Sequence, residues 1–270
     1  MKQKKSRMSN QTIQKVAEIL LIAEKTGQAC EPIRDSLTDQ ETEAAYLIQE
    51  LNTKYFLKKG RQMVGRKIGL TSEAVQQQIG VNQPDYGILY EDMLRKDGEK
   101  INFSDVMQPK IEAEIAFVLK ADLSKLVNTM DDIAAAIDYA TPALEIVGSR
   151  IKNWDITLAD TVADNGSSGL FVLGNSRCTL DHINLIECDM ELKRSGEQVS
   201  VGNGSSCMGN PLNAVLWLAN TMAKTAYPLR AGDIILSGAL GPIVEVKPGE
   251  TFEASISGLG SVRAVFSEIK

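Results

Sequence analysis

The chain has 270 residues, 43% of them hydrophobic and 24% charged, enough apolar material for one large domain or two modest ones with packed cores. Its 35 acidic and 29 basic residues leave a net charge of -6, which excludes the broad positive surface that nucleic acids and anionic membranes select. The partner expected for such a chain is a small molecule.

The first residues, "MKQKKSRMSN", are basic, but the following "VAEILLIAEK" is interrupted by glutamates and has helical periodicity, unlike a signal-peptide core or a membrane span. A cytoplasmic protein is expected. Ile13, Val16, Ala17, Leu20 and Leu21 recur at helical spacing. A second helix opens at "TDQE", where Thr38 and Glu41 have the capping-box separation, and carries the stripe Ala44, Leu47, Ile48, Leu51, Tyr55. Between Gly60 and Gly69 the character changes to short β-branched or alternating runs separated by Gly, Pro, Asn and Asp. The pattern predicts an α+β chain: a helical region over 1–62 and a β-rich region over 63–270.

Helices still interrupt the second part. "MDDIAAAIDYA" (130–140) reads as a crossover between strands, and "NPLNAVLWLANTMAK" (210–224) as a helix with Asn210 as its cap and Pro211 in the first turn. The last forty or so residues alternate in polarity, with Pro248-Gly249 suited to a turn between two strands. Cys30, Cys178, Cys188 and Cys207 form no C-x-x-C pair, so they read as buried, unpaired thiols rather than a zinc or redox site. His182, in "TLDHINL", has nothing near it at ligand spacing and reads as a surface or loop residue. Trp154 and Trp217 read as core or subunit-contact residues. "GNGSSCMGNP" (202–211) is glycine-rich before a helix, yet lacks the Gly-Lys-Ser/Thr ending of a P-loop and a strand-linked G-x-G-x-x-G, so no nucleotide site is expected.

The stretch "PKIEAEIAFVLKADL" (109–123) is chemically the most pointed. At strand period Glu112 and Glu114 share a face, roughly 6 to 7 Å apart along the strand. Two ionised carboxylates there repel unless water or a cation screens them. An exposed strand face would satisfy them cheaply. The flank "IAFVL", however, is that of a strand deep in a fold, where a like-charged pair must shift its pKa, find basic partners or hold a metal. A third carboxylate, Glu145, lies on the later apolar run "TPALEIVGSRI". Three carboxylates from two strands suit a hard divalent ion, Mg²⁺ or Mn²⁺, used as a Lewis acid.

Several motifs in fixed order, "GRKIGLTS", "PDYGILYEDM", "KIEAEIAFVL", "ALEIVGSRI", "WDITLADTVADNGSSGLFVLG", "GNPLNAVLWLAN" and "AGDIILSGALGPIVEVKPGE", span nearly the whole chain. In this combination the sequence resembles the fumarylacetoacetate hydrolase superfamily, in the branch of 2-hydroxypentadienoate (2-oxopent-4-enoate) hydratases and 4-oxalocrotonate decarboxylases of aromatic meta-cleavage pathways. The resemblance implies a curled, mostly β, barrel-like catalytic domain with a smaller helical amino-terminal part, assembled as a homo-oligomer such as a pentamer or decamer. It implies Glu112, Glu114 and Glu145 as ligands of Mg²⁺ or Mn²⁺ and Lys67, in "GRKIG", as the lysine that binds the acid or moves protons. A solvated surface lysine is the lesser alternative for Lys67; partly desolvated beside other cations, it would have a lowered pKa. Asp85, in "PDYG", matches an aspartate of the pocket lid, although Asp after Pro is also plain turn chemistry. Ser167 and Ser168, in "NGSSGLF", fall where the family places a serine near substrate, and the small residues also suit a turn.

The implied reaction adds water to 2-hydroxypenta-2,4-dienoate (2-oxopent-4-enoate) to give 4-hydroxy-2-oxopentanoate. Decarboxylation of 4-oxalocrotonate (2-oxohex-3-enedioate) draws on the same electron sink, and a non-catalytic binder of 2-oxo acids would keep the same fold. The superfamily's carbon–carbon hydrolases use a His-Glu pair towards the amino-terminal side; the single histidine, His182, is far from there, so that mechanism is not expected.

Overall fold

The alternating segments beyond residue 62 form two sheets in the computed structural model, which describes residues 9–37, 41–72, 76, 83–127 and 129–269. The larger has eight strands in the order β2-β1-β10-β5-β6-β7-β3, with β11 added to β5. These are β1 (Met63–Gly69), β2 (Asp85–Tyr90), β3 (Leu94–Arg95), β5 (Lys110–Leu119), β6 (Ile137–Val147), β7 (Leu170–Leu173), β10 (Ile234–Ala239) and β11 (Val244–Glu245). The smaller has five: β4 (Lys100–Ile101), β13 (Gly260–Phe266), β12 (Thr251–Ile256), β8 (Asp189–Arg194) and β9 (Glu197–Asn203). β12 and β13 pack on β6, so the larger sheet curls around one apolar layer into a half-barrel.

Strand β5 is the axis of this layer. Ile111, Ile115 and Phe117 on one of its faces are wholly buried, each stabilising the fold by roughly 1.5–3 kcal/mol. The opposite face carries Glu112 and Glu114. β5 pairs antiparallel with both β6 and β10, so three strands meet at the carboxylates.

Two long helices, α1 (Asn10–Thr26) and α2 (Glu41–Lys58), precede the sheets. Ser9 caps α1 by accepting from the Thr12 N–H, and Gly27 closes it in the left-handed conformation. Ile13, Val16, Ala17 and Leu20 are buried, as their spacing predicts. In α2, Ala44 and Ile48 are buried, but Leu47 is 48% exposed. The helix is turned so that Ala44, Ala45 and Ile48 meet α1 and the short helix Leu158–Ala163, which leaves Leu47 on the outer side. Thr38 lies outside the described residues. The amino-terminal helices complete their core with Ile151, Ala159, Val162 and Ala163, and so rest directly on the segment that follows β6.

The crossover helix is shorter than its sequence pattern suggests, Met130–Ala136, and β6 begins at Ile137. Ile137, Tyr139 and Thr141 favour the pleat, and the long ladder with β5 outweighs the helical run of alanines. Asn210 caps the helix Pro211–Met222 through the Leu212 N–H, with Pro211 at its start. Pro248-Gly249 does make a turn, with Gly249 at φ 77, but it carries the chain from β11 in one sheet to β12 in the other. The four cysteines are unpaired; Cys188 and Cys207 are buried, whereas Cys30 and Cys178 are only half-buried. His182 is exposed, Trp217 packs half-buried on the core, and the Trp154 indole donates to the Gln108 carbonyl. Among the described residues no helix is long and apolar enough to cross a membrane.

Candidate active site

The β5–β6 ladder sets Glu112 directly opposite Glu145 and Glu114 opposite Ala143. All three carboxylates therefore project from one face, and one oxygen from each lies within 4.8 Å of the others. Glu114 is 0% and Glu145 1% exposed, which rules out the open strand face. Glu112 is half-buried at the edge of the cluster.

A backbone irregularity holds Glu114. The β10–β5 register slips between Leu236 and Ala239, and at this bulge the Gly238 N–H donates to Glu114 Oε2 at 2.8 Å. Gly238 has φ 110, and a Cβ there would collide with the Thr71 side chain. Only glycine meets both demands.

Lys67 comes from β1, beside β10, and is 4% exposed. Its Nζ stands 3.4 Å from Glu145 Oε1, an ion-pair contact without the alignment of a hydrogen bond. Asp85, at the start of β2, is paired with Gly69 and buried. A Cβ at Gly69 would strike the Asp85 carboxylate and come within 3.3 Å of Lys67 Nζ, so the glycine leaves acid and amine room to approach each other. The structure thus brings together Glu112, Glu114, Glu145, Lys67 and Asp85.

This concentration of charge is costly as it stands. Glu114 Oε1, both Glu145 carboxylate oxygens and Asp85 Oδ1 are buried without a hydrogen-bond partner. Burial, with Glu145 alongside, pushes Glu112 up to about 7. Burial and the neighbouring glutamates push Glu114 well above the usual carboxylate range, and burial raises Glu145 and Asp85 against the pull of Lys67. Lys67 corrects a sequence expectation. Burial does draw its pKa down, but Glu145, Asp85, Glu112 and Glu114 together overcome that and raise it, so the amine is firmly cationic. Three converging carboxylates, with orphaned hard oxygens on Glu114 and Glu145, fit a hard divalent cation, whose charge would offset their repulsion.

Glu112 borders a cleft of about 480 Å³, whose other walls include Leu70, Thr71, Ser206, Pro242 and Ile243. Ser206 belongs to the glycine-rich stretch 202–211, which reaches this cleft through that residue.

The serine-bearing loop covers the site from another side. A Cβ at Gly166 would come within 2.8 Å of Lys67 Cε, so the loop lies directly on the lysine. Asn165, Gly166 and Ser167 all have positive φ, which needs strong anchoring. The Asn165 amide supplies it by accepting from the Ile88 N–H at 2.7 Å and donating to the Ile88 carbonyl at 3.0 Å. Arg150 supplies more: it bonds Asp164 through its backbone N–H and guanidinium and donates to the Ser168 carbonyl at 2.8 Å. Burial pushes Asp164 up to about 6 against the pull of Arg150. The serine hydroxyls are engaged inside this loop, Ser167 with Thr161 and Ser168 with the Asn165 carbonyl. Sequence reading passed over Gly238, Asn165, Arg150 and Asp164, although all four stand in the motifs it quoted.

Fold and site together define a curled β architecture with a largely buried acidic centre and a lysine next to it, bordered through Glu112 by a cleft. The model of the fumarylacetoacetate (FAA) hydrolase C-terminal family matches residues 40–267, and the chain belongs to that family. It is 53% identical over 256 residues to the TodF product hydratase of Pseudomonas putida, covering 95% of this chain and 96% of that protein. It is 51% identical over 263 residues to 2-keto-4-pentenoate hydratase 1 of Dechloromonas aromatica, covering 96% of this chain and all of that protein. Among solved structures, 4-oxalocrotonate decarboxylase from Pseudomonas putida G7, complexed with magnesium and adipate, superposes with a TM-score of 0.90. Its identity is 33%, over 96% of this chain and 98% of that one.

Proposed function

We propose that the protein is a metal-dependent hydro-lyase that adds water to 2-hydroxypenta-2,4-dienoate, the enol of 2-oxopent-4-enoate, to give 4-hydroxy-2-oxopentanoate. The observation that carries this reading is the convergence of Glu112, half-buried, with the buried Glu114, Glu145 and Lys67 in a chain about half identical, over most of its length, to named hydratases.

Glu112, Glu114 and Glu145 would hold Mg²⁺ or Mn²⁺. When bound there, such an ion supplies Lewis-acid stabilisation of the negative charge that develops on a 2-oxo acid. The remaining work falls to the protein. Lys67, buried with its Nζ 3.4 Å from Glu145, binds the substrate carboxylate and orients it. Asp85, raised by burial and unpaired at Oδ1, is placed to carry protons. A proton delivered to C5 of the dienol, as the C2 hydroxyl loses its own, gives 2-oxopent-3-enoate; the oxygen of water then bonds to C4 as its proton leaves, and a proton at C3 completes the product. Ser167 and Ser168 shape the loop that excludes bulk water from Lys67.

The test uses protein stripped with a chelator and then given Mg²⁺ or Mn²⁺. Freshly prepared 2-hydroxypenta-2,4-dienoate should lose its dienoate absorbance only when metal is present, and 4-hydroxy-2-oxopentanoate should appear by NMR. Carbon dioxide released from 2-oxohex-3-enedioate, with pentadienoate untouched, would make the protein a decarboxylase. Binding without turnover of either would make it a non-catalytic relative.

A further inference from the structure

We infer that Leu70, Pro242 and Ile243 form a substrate-tail wall that admits a 2-oxo acid with an uncharged tail and rejects one with a second carboxylate. The inference rests on the reading of the site as a 2-oxo-acid site and names the residues that would select the substrate's tail.

The cleft is chemically lopsided. Its inner end is bordered by Glu112, one of the three converging carboxylates, and by Gly69, where a Cβ would come within 3.3 Å of Lys67 Nζ. That amine is already committed to Glu145 and the substrate's own carboxylate, so it cannot also serve a distal one. Along the outer wall Leu70, Pro242 and Ile243 are apolar, the nearest polar groups are the hydroxyls of Thr71, Ser72 and Ser206, and no cationic side chain lines the cleft among the described residues. A carboxylate brought against this wall would lose water and gain no charged partner.

The wall is also built to stay in place. Leu70 has φ 57, a conformation that a bulky side chain adopts only where its surroundings hold it. The Gln76 side-chain amide donates to the Leu70 carbonyl at 2.7 Å. On the other side, the Leu240 N–H donates to the Ala113 carbonyl at 3.0 Å and the Ser200 hydroxyl to the Pro242 carbonyl at 2.8 Å. The turn bearing Pro242 and Ile243 is therefore tied to β5 and β9 at once. Ile243, 42% exposed at the mouth, can be replaced without disturbing the core.

Calorimetric titration of the Mg²⁺-loaded protein with two unreactive acids, 2-oxopentanoate and 2-oxohexanedioate, tests this. The monoacid should bind tighter by on the order of 100-fold, the effect of one charged group left without a partner. Ile243→Arg should narrow that ratio by about 10-fold or more, whereas Ile243→Gln, polar but neutral, should leave it in place. Equal or tighter binding of the diacid to the unaltered protein, or equal effects of the Arg and Gln substitutions, would overturn the inference and leave the 2-oxo-acid site standing. Failure of both acids to bind would instead remove the reading of the site on which the inference rests.

Discussion

The acidic centre makes an unusual demand on the relation between pH and stability. Glu112 has a folded-state pKa of about 7 against an ordinary 4.5, so the folded protein without metal binds more protons than the unfolded chain anywhere between those values. A raised carboxyl penalises folding as pH rises: the penalty is absent below 4.5, accumulates towards about 7 and is then constant. The gap corresponds to about 3 kcal/mol for Glu112, an upper limit because this group borders the cleft and solvent screens it. Glu114, Glu145 and Asp85 are shifted in the same direction, so their contributions add to the slope. Urea unfolding in EDTA at several pH values from 5 to 8 should therefore show stability falling as pH rises. Metal at about 100 times its dissociation constant should restore roughly 2.7 kcal/mol and flatten the profile. Glu112→Gln should lose the Glu112 share of the slope, which separates it from the smaller effect of Asp164, raised to about 6 elsewhere in the molecule. Stability in EDTA that is flat or rises across this range, or that ignores the metal, would refute the account of the site as a crowded set of acids awaiting a cation.

What the sequence could disclose of this site follows the range of the interactions involved. Period two places Glu112 and Glu114 on one face from local information alone, and the apolar flank correctly puts that face indoors. Glu145 joins them through a cross-strand register that no local pattern encodes; its place on a second apolar run made it a candidate, and the resemblance of whole motifs implied the pairing. The misreading of Lys67 has the same origin. Its sequence neighbour Arg66 is cationic, but alternation sends Arg66 to the opposite face, and the groups that surround Lys67 are acids from β2, β5 and β6. Gly238 acts through its backbone N–H and its lack of a Cβ, so a bare glycine in "LSGALGP" gives no sign of its use. Arg150 and Asp164 lie on different loops and show themselves as partners only when the loop above Lys67 is folded. Leu47 and the start of β6 show the complementary limit. Helical spacing identified the elements, but packing against the helix Leu158–Ala163 and pairing with β5 decided how each is turned and where it begins.

Three further outcomes follow. Lys67→Met removes the cation 3.4 Å from Glu145, so Mn²⁺ affinity measured by calorimetry should rise, while turnover of the dienoate falls by at least about 100-fold, the range of one positioned acid–base group. Gly238→Ala forces a Cβ onto Thr71 at a positive φ and turns the N–H from Glu114; it should cost about 3 kcal/mol in urea unfolding and weaken metal binding together. Arg150→Leu tests the loop over Lys67. Arg150 is the guanidinium partner of an almost fully buried Asp164, and removing it leaves that charge unmatched, so unfolding stability should drop by about 3–5 kcal/mol. Adding Asp164→Asn removes the stranded charge, and the double variant should regain more than about 1 kcal/mol over Arg150→Leu alone. The Asn165 amide would still tie the loop to Ile88, so the double variant should keep its metal and lose chiefly kcat, because what has loosened is the cover over Lys67 rather than the carboxylate set. Strict additivity of the two substitutions would mean that Arg150 and Asp164 act separately, and the loop would then owe its shape to Asn165 alone.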